Sequence, residues 1–134
     1  MKILRHRPAG SSPSGPYSPA VEVVSGDLGT LYVSGQGTMN PRTGERVLGD
    51  ATSQARAALE NLRLVVEGSG YSMSQVVKVT LYLRSMADFS AVNAVYKEYF
   101  PEGAYPARAT VAVADLPGGQ AVEIDAIAVR EIAE

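Results

Sequence analysis

Two charged side chains stand in strands where charge is out of place. In Pro106-Ala107-Arg108-Ala109-Thr110-Val111-Ala112-Val113, alternation sets Ala107, Ala109, Val111 and Val113 on one face and Arg108, Thr110 and Ala112 on the other. In Ala121-Val122-Glu123-Ile124-Asp125-Ala126-Ile127-Ala128, Val122, Ile124, Ala126 and Ala128 share a face, and Glu123 and Asp125 point the opposite way. Charges in such strands are solvated, paired or used. Arginine offers a planar fork that grips a carboxylate through two parallel hydrogen bonds. A glutamate shielded from water can have a raised pKa and act as general acid or base, or orient a water. The pair suits hydrolysis of a small carboxylic acid by water.

Other chemistries lack their usual apparatus. With no cysteine, disulfides, thiolate nucleophiles and cysteine metal sites are excluded, and the single histidine, His6, excludes a histidine metal cluster. No metal site is expected. Ser34-Gly35-Gln36-Gly37 carries no Gly-Lys-Ser/Thr, so it is no phosphate loop. Twelve Lys plus Arg against 14 Asp plus Glu give a net charge of −2, which supplies no field for nucleic acid or an anionic membrane. The basic start, Met-Lys-Ile-Leu-Arg-His-Arg-Pro, lacks the apolar run of roughly 7–15 residues of a signal peptide. No apolar span of about 18 residues occurs elsewhere, so the cytoplasm is the expected location.

The elements that must position Arg108 and Glu123 come next. With 134 residues and 46% hydrophobic content, one folded domain over residues 1–134 is expected. The two charged strands flank Ala114-Asp115-Leu116-Pro117-Gly118-Gly119-Gln120, giving strand, turn, strand. A simple hairpin centred on Gly118 would set Arg108 opposite Ala128, roughly 17 Å along the strand from Glu123 and with Glu123 on the other face. Such a pair cannot share one small molecule. Either the strands are not a simple hairpin or the two side chains meet across a subunit boundary, and the second is preferred.

Ahead of them, residues 2–5 suggest a short strand, and the proline-rich stretch from Pro8 to Pro19 a stiff loop. Tyr17 in that loop either projects its hydroxyl from a fixed backbone or anchors the loop on the core. Val21–Val24 and Leu31–Ser34 around Gly26-Asp27-Leu28-Gly29 are the clearest hairpin. Gly35 and Gly37 end it, either admitting a ligand close to the backbone or marking a bulge. Asp50 is placed to cap a helix with Ala55, Ala58, Leu59, Leu62, Val65 and Val66 on its apolar face and Arg56, Glu60 and Arg63 on a solvated one. Gly68-Ser69-Gly70 stops it.

Gln75–Leu83 reads as a strand buried on both faces. A second helix opens at Ser85, with Asp88 completing a capping-box spacing, buries Phe89, Val92, Tyr96 and Tyr99 or Phe100, and ends at Pro101. Asn93 inside it is expected to tie the helix to a neighbouring loop. The whole is an α+β fold, one mixed sheet with both helices on one face. The other face, apolar and uncovered, points to oligomerisation.

Pro-Ala-Arg-Ala-Thr-Val at 106–111, Leu116-Pro117 and Val-Glu-Ile-Asp-Ala-Ile-Ala at 122–128 resemble the signature of the RidA (YjgF) family of reactive intermediate deaminases. Gly15-Pro16-Tyr17-Ser18-Pro19-Ala20, Ser34-Gly35-Gln36, Gln54 to Asn61, and Phe89, Asn93 and Tyr96 extend the resemblance over nearly the whole chain. It implies a chorismate-mutase-like homotrimer with clefts between subunits. It further implies cofactor-free hydrolysis of 2-aminoacrylate, 2-iminopropionate and related enamino or imino acids to 2-keto acids and ammonia.

By the same resemblance Arg108 clamps the substrate carboxylate and Glu123 positions the attacking water. Tyr17 and Ser34 line the cleft, the Gly35 N–H assists the carboxylate, and the Thr110 carbonyl meets the imine nitrogen. Thr110 stands where many members have Cys, and Asp125 where Glu is common. Two rivals remain. A keto-acid or amino-acid sensor would use the Arg108 clamp without water activation, and an RNA endonuclease role is opposed by the negative net charge and the lone His6.

Overall fold

The computed structural model describes residues 1–11 and 15–133. Six strands form one sheet: β1 (Lys2–His6), β2 (Ala20–Ser25), β3 (Leu28–Gln36), β4 (Val76–Leu83), β5 (Ala107–Ala112) and β6 (Val122–Glu131), in the order β1-β2-β3-β6-β4-β5. Two helices, α1 (Ala51–Gly68) and α2 (Phe89–Tyr99), complete it. The part of the proline-rich loop formed by Ser12, Pro13 and Ser14 lies outside the described residues.

Connection geometry explains both the single helical layer and the strand order. β3 and β4 each pair antiparallel with β6, so they run parallel to one another, and β5 runs parallel to β4. Parallel neighbours require crossovers, here α1 from β3 to β4 and α2 from β4 to β5. Crossovers of the same right hand that advance in the same direction place their helices on the same side. Both helices therefore cover one face, as the sequence suggested. The α1 crossover skips one position, and β6 returns to fill it.

The strand, turn, strand succession of residues 106–128 is present, but that return rules out a hairpin between the two strands. β5 and β6 do not pair; β4 lies between them. Of the two alternatives the first holds, since there is no hairpin. The opposed faces of Arg108 and Glu123 nevertheless persist.

Burial follows the period of each element. Val122, Ile124, Ala126 and Ala128 of β6, Val79, Leu81 and Leu83 of β4, and Leu31 and Val33 of β3 are buried against the expected apolar face of α1 and against Val92, Val95 and Tyr96 of α2. On the opposite side Tyr32, Val77 and Val111 are each more than 40% exposed. β4 is thus covered on one face only within the chain, contrary to the expectation of burial on both. Its β-branched outer residues simply suit a pleated surface.

Local signals set the helix ends. The Asp50 carboxylate accepts from the Ser53 N–H at 2.8 Å, capping α1. Ser69 closes α1 through bonds to Val65 and Val66 carbonyls, and Gly70, at φ +88°, turns the chain away. Ser85 caps a 3₁₀ turn over Met86–Asp88 rather than α2 itself, so α2 starts at Phe89 and the reciprocal capping box does not form. Phe100, extended before Pro101, ends it. The polar face of α1 is solvated as read, with Arg63 on Glu60 at 2.6 Å and Arg56 reaching Glu98 of α2.

One buried carboxylate was not foreseen. Glu22 of β2 is 1% exposed and accepts from the Tyr71 hydroxyl at 2.8 Å and Arg130 Nη2 at 3.1 Å, with His6 Nε2 at 2.8 Å. Arg130 also stacks over the Tyr71 ring. The cluster fastens β1, β2 and the end of β6 together. Among the described residues no helix is long and apolar enough to cross a membrane.

Candidate functional site

Arg108 leaves β5 toward the helices. It pairs with the buried Val79 of β4 and so lies on the helix-covered face, beside α2. Its Nη1 donates to Asn93 Oδ1 at 2.8 Å, and the guanidinium sits 4.7 Å from the Tyr96 ring centre and 5.7 Å from that of Phe89. Phe89, Asn93 and Tyr96 are spaced to share one stripe of α2, so the helix forms a cradle for the guanidinium plane. Asn93 therefore ties α2 to the β5 arginine rather than to a loop. Burial pushes the Tyr96 hydroxyl up to about 12, against the lowering influence of Arg108, so the ring under the cation stays neutral. Thr110, opposite Leu81, shares the face of Arg108. Since β5 is an edge strand, its outer backbone groups have no ladder partner within this sheet.

Glu123 is built separately. It stands opposite Tyr82 at the start of β6, on the face away from the helices. Gln54 of α1 fixes the approach to this strand, accepting from the Ala121 N–H at 2.7 Å and donating to the Gly49 carbonyl at 2.9 Å. The carboxylate lies against Gly35, where an added Cβ would come within 2.6 Å of Oε2. Gln120 Nε2 donates to its Oε1 at 3.2 Å. Burial raises the Glu123 pKa above the ordinary carboxylate value; Arg46 opposes this, Asp125 adds to it and the Gln120 bond opposes it.

The glycines at the end of β3, Gly35 within it and Gly37 just beyond, acquire a definite role. The ladder with β6 is irregular between Val33 and Gln36, as a bulge reading requires. What approaches the backbone there is the protein's own side chains, Glu123 at Gly35 and Gln120 at Gly37. Ser34 pins the proline-rich loop to β3, its hydroxyl donating to the Ser18 carbonyl at 2.6 Å and its N–H to that of Pro19 at 2.9 Å. Tyr17, on that loop, is 46% exposed, and its carbonyl accepts from Arg7. It stands in a cavity wall and is not an anchor sunk in the core.

Tyr17, Ser34, Gly35 and Glu123 line one cavity of about 570 Å³ at the end of the sheet, together with Arg46 and Asn61. Arg108 and Thr110 do not line it. Through Tyr82, Glu123 is level with Val111, three residues beyond Arg108. The two are thus about 10 Å apart along the strands, two strand spacings or about 10 Å across, and on opposite faces.

Three contributors escaped the sequence reading. Gln120 is fully buried beneath the cavity, Arg46 supplies its positive charge, and Asn61 donates to the Gly37 and Met39 carbonyls at 2.9 and 2.8 Å. Arg46 and Gln120 lie in connectors whose pattern gives no signal. Asn61 had a faint one, a polar residue beside the apolar stripe of α1. Among the described residues, no group of three or more His, Cys, Asp or Glu could hold a metal ion. Chemically, one half-site holds a fork for a carboxylate, and the other holds a carboxylate of raised pKa that can order water.

A family model described as Endoribonuclease L-PSP matches residues 6–130. A 2-iminobutanoate/2-iminopropanoate deaminase of Dermatophagoides farinae is 48% identical over 97% of this chain and 98% of its own. Among solved structures, the YjgF gene product of E. coli superposes with a TM-score of 0.77 at 38% identity, covering 91% of this chain and 94% of that one. E. coli TdcF with bound serine gives 0.81 at 34% identity, covering 96% and 98%.

Proposed function

Because the chain belongs to the Endoribonuclease L-PSP (YjgF/RidA) family, we propose that it deaminates 2-imino acids such as 2-iminopropionate, formed from 2-aminoacrylate, by hydrolysis to 2-keto acids. Water adds to C2 of the protonated imine, the carbinolamine loses its nitrogen, and 2-keto acid and ammonium leave. The imine carbon is already electrophilic, so positioning water and substrate removes much of the barrier, and a proton transfer contributes roughly 10²- to 10⁴-fold.

In this reading Arg108 binds the substrate carboxylate with its fork, and Glu123 holds the attacking water and takes up its proton. The single observation that carries it is the half-buried Glu123 carboxylate of raised pKa, aimed at a cavity walled by Tyr17, Ser34 and Gly35. Arg108 and Thr110 lie elsewhere in the chain, so the complete site takes them from one subunit and the Glu123 cavity from the next. The apolar sheet face bearing Tyr32, Val77 and Val111 supports such packing, and a homotrimer is the arrangement the family resemblance implies.

The test is pyruvate formation from 2-aminoacrylate generated by a serine dehydratase. Acceleration by the wild type and its loss in Arg108→Ala and Glu123→Gln is the expected result. No acceleration by a correctly folded protein overturns the proposal.

The serine held by the E. coli relative favours a second reading, an amino-acid or keto-acid sensor. Glu123→Gln discriminates, because a sensor keeps full function in that variant. RNA cleavage has no support in the charge pattern beyond the family description, and the net charge of −2 opposes it.

A further inference from the structure

We propose that Gln120 is a positioning residue: its amide oxygen, saturated by Thr38 and Arg46, forces its NH₂ donor toward Glu123 and fixes that carboxylate over the Gly35 backbone. The inference rests on the deaminase reading and adds a residue that the family resemblance does not assign.

Gln120 has no exposed surface, and a buried amide must find partners at both ends. Its Oε1 accepts from the Thr38 N–H at 2.9 Å, Thr38 Oγ1 at 3.3 Å and Arg46 Nη1 at 3.1 Å. Two of these, the Thr38 N–H and the Arg46 guanidinium, can only donate, so an NH₂ group in that place would face two donors and the amide oxygen must lie there. The donor end therefore points at Glu123 Oε1, 3.2 Å away. Arg46 polarises the amide and so strengthens the bond it gives.

The backbone is shaped to admit this chain of side chains. A Cβ at Gly37 would collide with the Gln120 amide, and one at Gly118, where φ is +67°, with the Arg46 guanidinium. Charged and titratable groups reach Glu123 from each neighbouring element: Arg46 from the connector after β3, Asp125 from β6, and Tyr82 of β4, whose hydroxyl donates to Asp125 at 2.9 Å. Burial and Asp125 favour the neutral acid, whereas Arg46 and Gln120 favour the carboxylate that water activation needs.

The experiment is a carbon-detected NMR titration of the Glu123 carboxyl in wild type, Gln120→Met and Gln120→Leu, alongside the pH profile of kcat and KM. In Gln120→Met the Glu123 midpoint is expected to move upward and the acid limb of kcat with it. kcat itself should fall roughly tenfold with KM little changed. An unmoved midpoint in a folded Gln120→Met protein overturns the proposal.

Should Gln120→Met not fold, Gln120→Leu decides, because it removes the amide donor while leaving the Arg46 charge beside Glu123. An unmoved midpoint there also overturns it. The titration needs no turnover, so a wild type without deaminase activity would sink the functional reading while leaving this one measurable.

Discussion

Arg108 and Glu123 project from opposite faces of one sheet, on strands that β4 separates. A site using both needs two copies of the chain, which makes complementation decisive. Arg108→Ala and Glu123→Gln subunits, each inactive alone, are unfolded together and refolded at equal ratio. Random assembly leaves about one quarter of the interfaces with both native residues, so about one quarter of wild-type activity should return. A site contained in one subunit would recover none.

Gly35 has no positive φ, so alanine fits its backbone, but the new Cβ would lie 2.6 Å from Glu123 Oε2. Gly35→Ala should displace the carboxylate and lower kcat by roughly 10²-fold. Its thermal midpoint should stay close to that of the wild type. Steady-state kinetics beside a melting curve check this, and an unimpaired variant would show that the carboxylate position is immaterial.

Asn93 accepts a hydrogen bond from Arg108 in the cradle. Losing a hydrogen bond to a charged group frees the fork to swing, so Asn93→Ala should raise KM by roughly tenfold and change kcat little. The contrast with Gly35→Ala is the point of the measurement. If Asn93→Ala lowered kcat alone, the cradle would not serve carboxylate binding.

Acid stability should report the Glu22 cluster. Burial opposes ionisation of Glu22, yet bonds from His6, Tyr71 and Arg130 together hold its pKa below the ordinary glutamate value of 4.5. A folded-state pKa below the unfolded one contributes stability that is fully present above the unfolded value and is lost as pH falls through the folded one. Urea midpoints should therefore drop below about pH 4.5 more steeply for wild type than for Glu22→Gln. Glu22→Ala removes the buried acceptor that Tyr71 and Arg130 share and should cost about 3 kcal/mol near neutral pH. Equal acid slopes would show that the cluster carries no such linkage.

Local structure was legible in the chain: the α1 cap at Asp50, its apolar stripe, the β2–β3 hairpin and the stop at Pro101. These depend on neighbours within a few residues, where propensity and period act directly. The sequence also marked Arg108 and Glu123 as misplaced charges, because alternation assigns each strand residue a face without any knowledge of its partners.

Strand order and register belonged to the tertiary structure, because a chain pattern does not reveal which strand pairs with which. Only the α1 crossover, which leaves a gap for β6, keeps β5 from pairing with β6 as a hairpin. For the same reason Gln120, Arg46 and Glu22 were invisible beforehand. A polar side chain in a connector or strand acquires a role only from the donors that folding brings to it, here from residues 49 to 108 positions away.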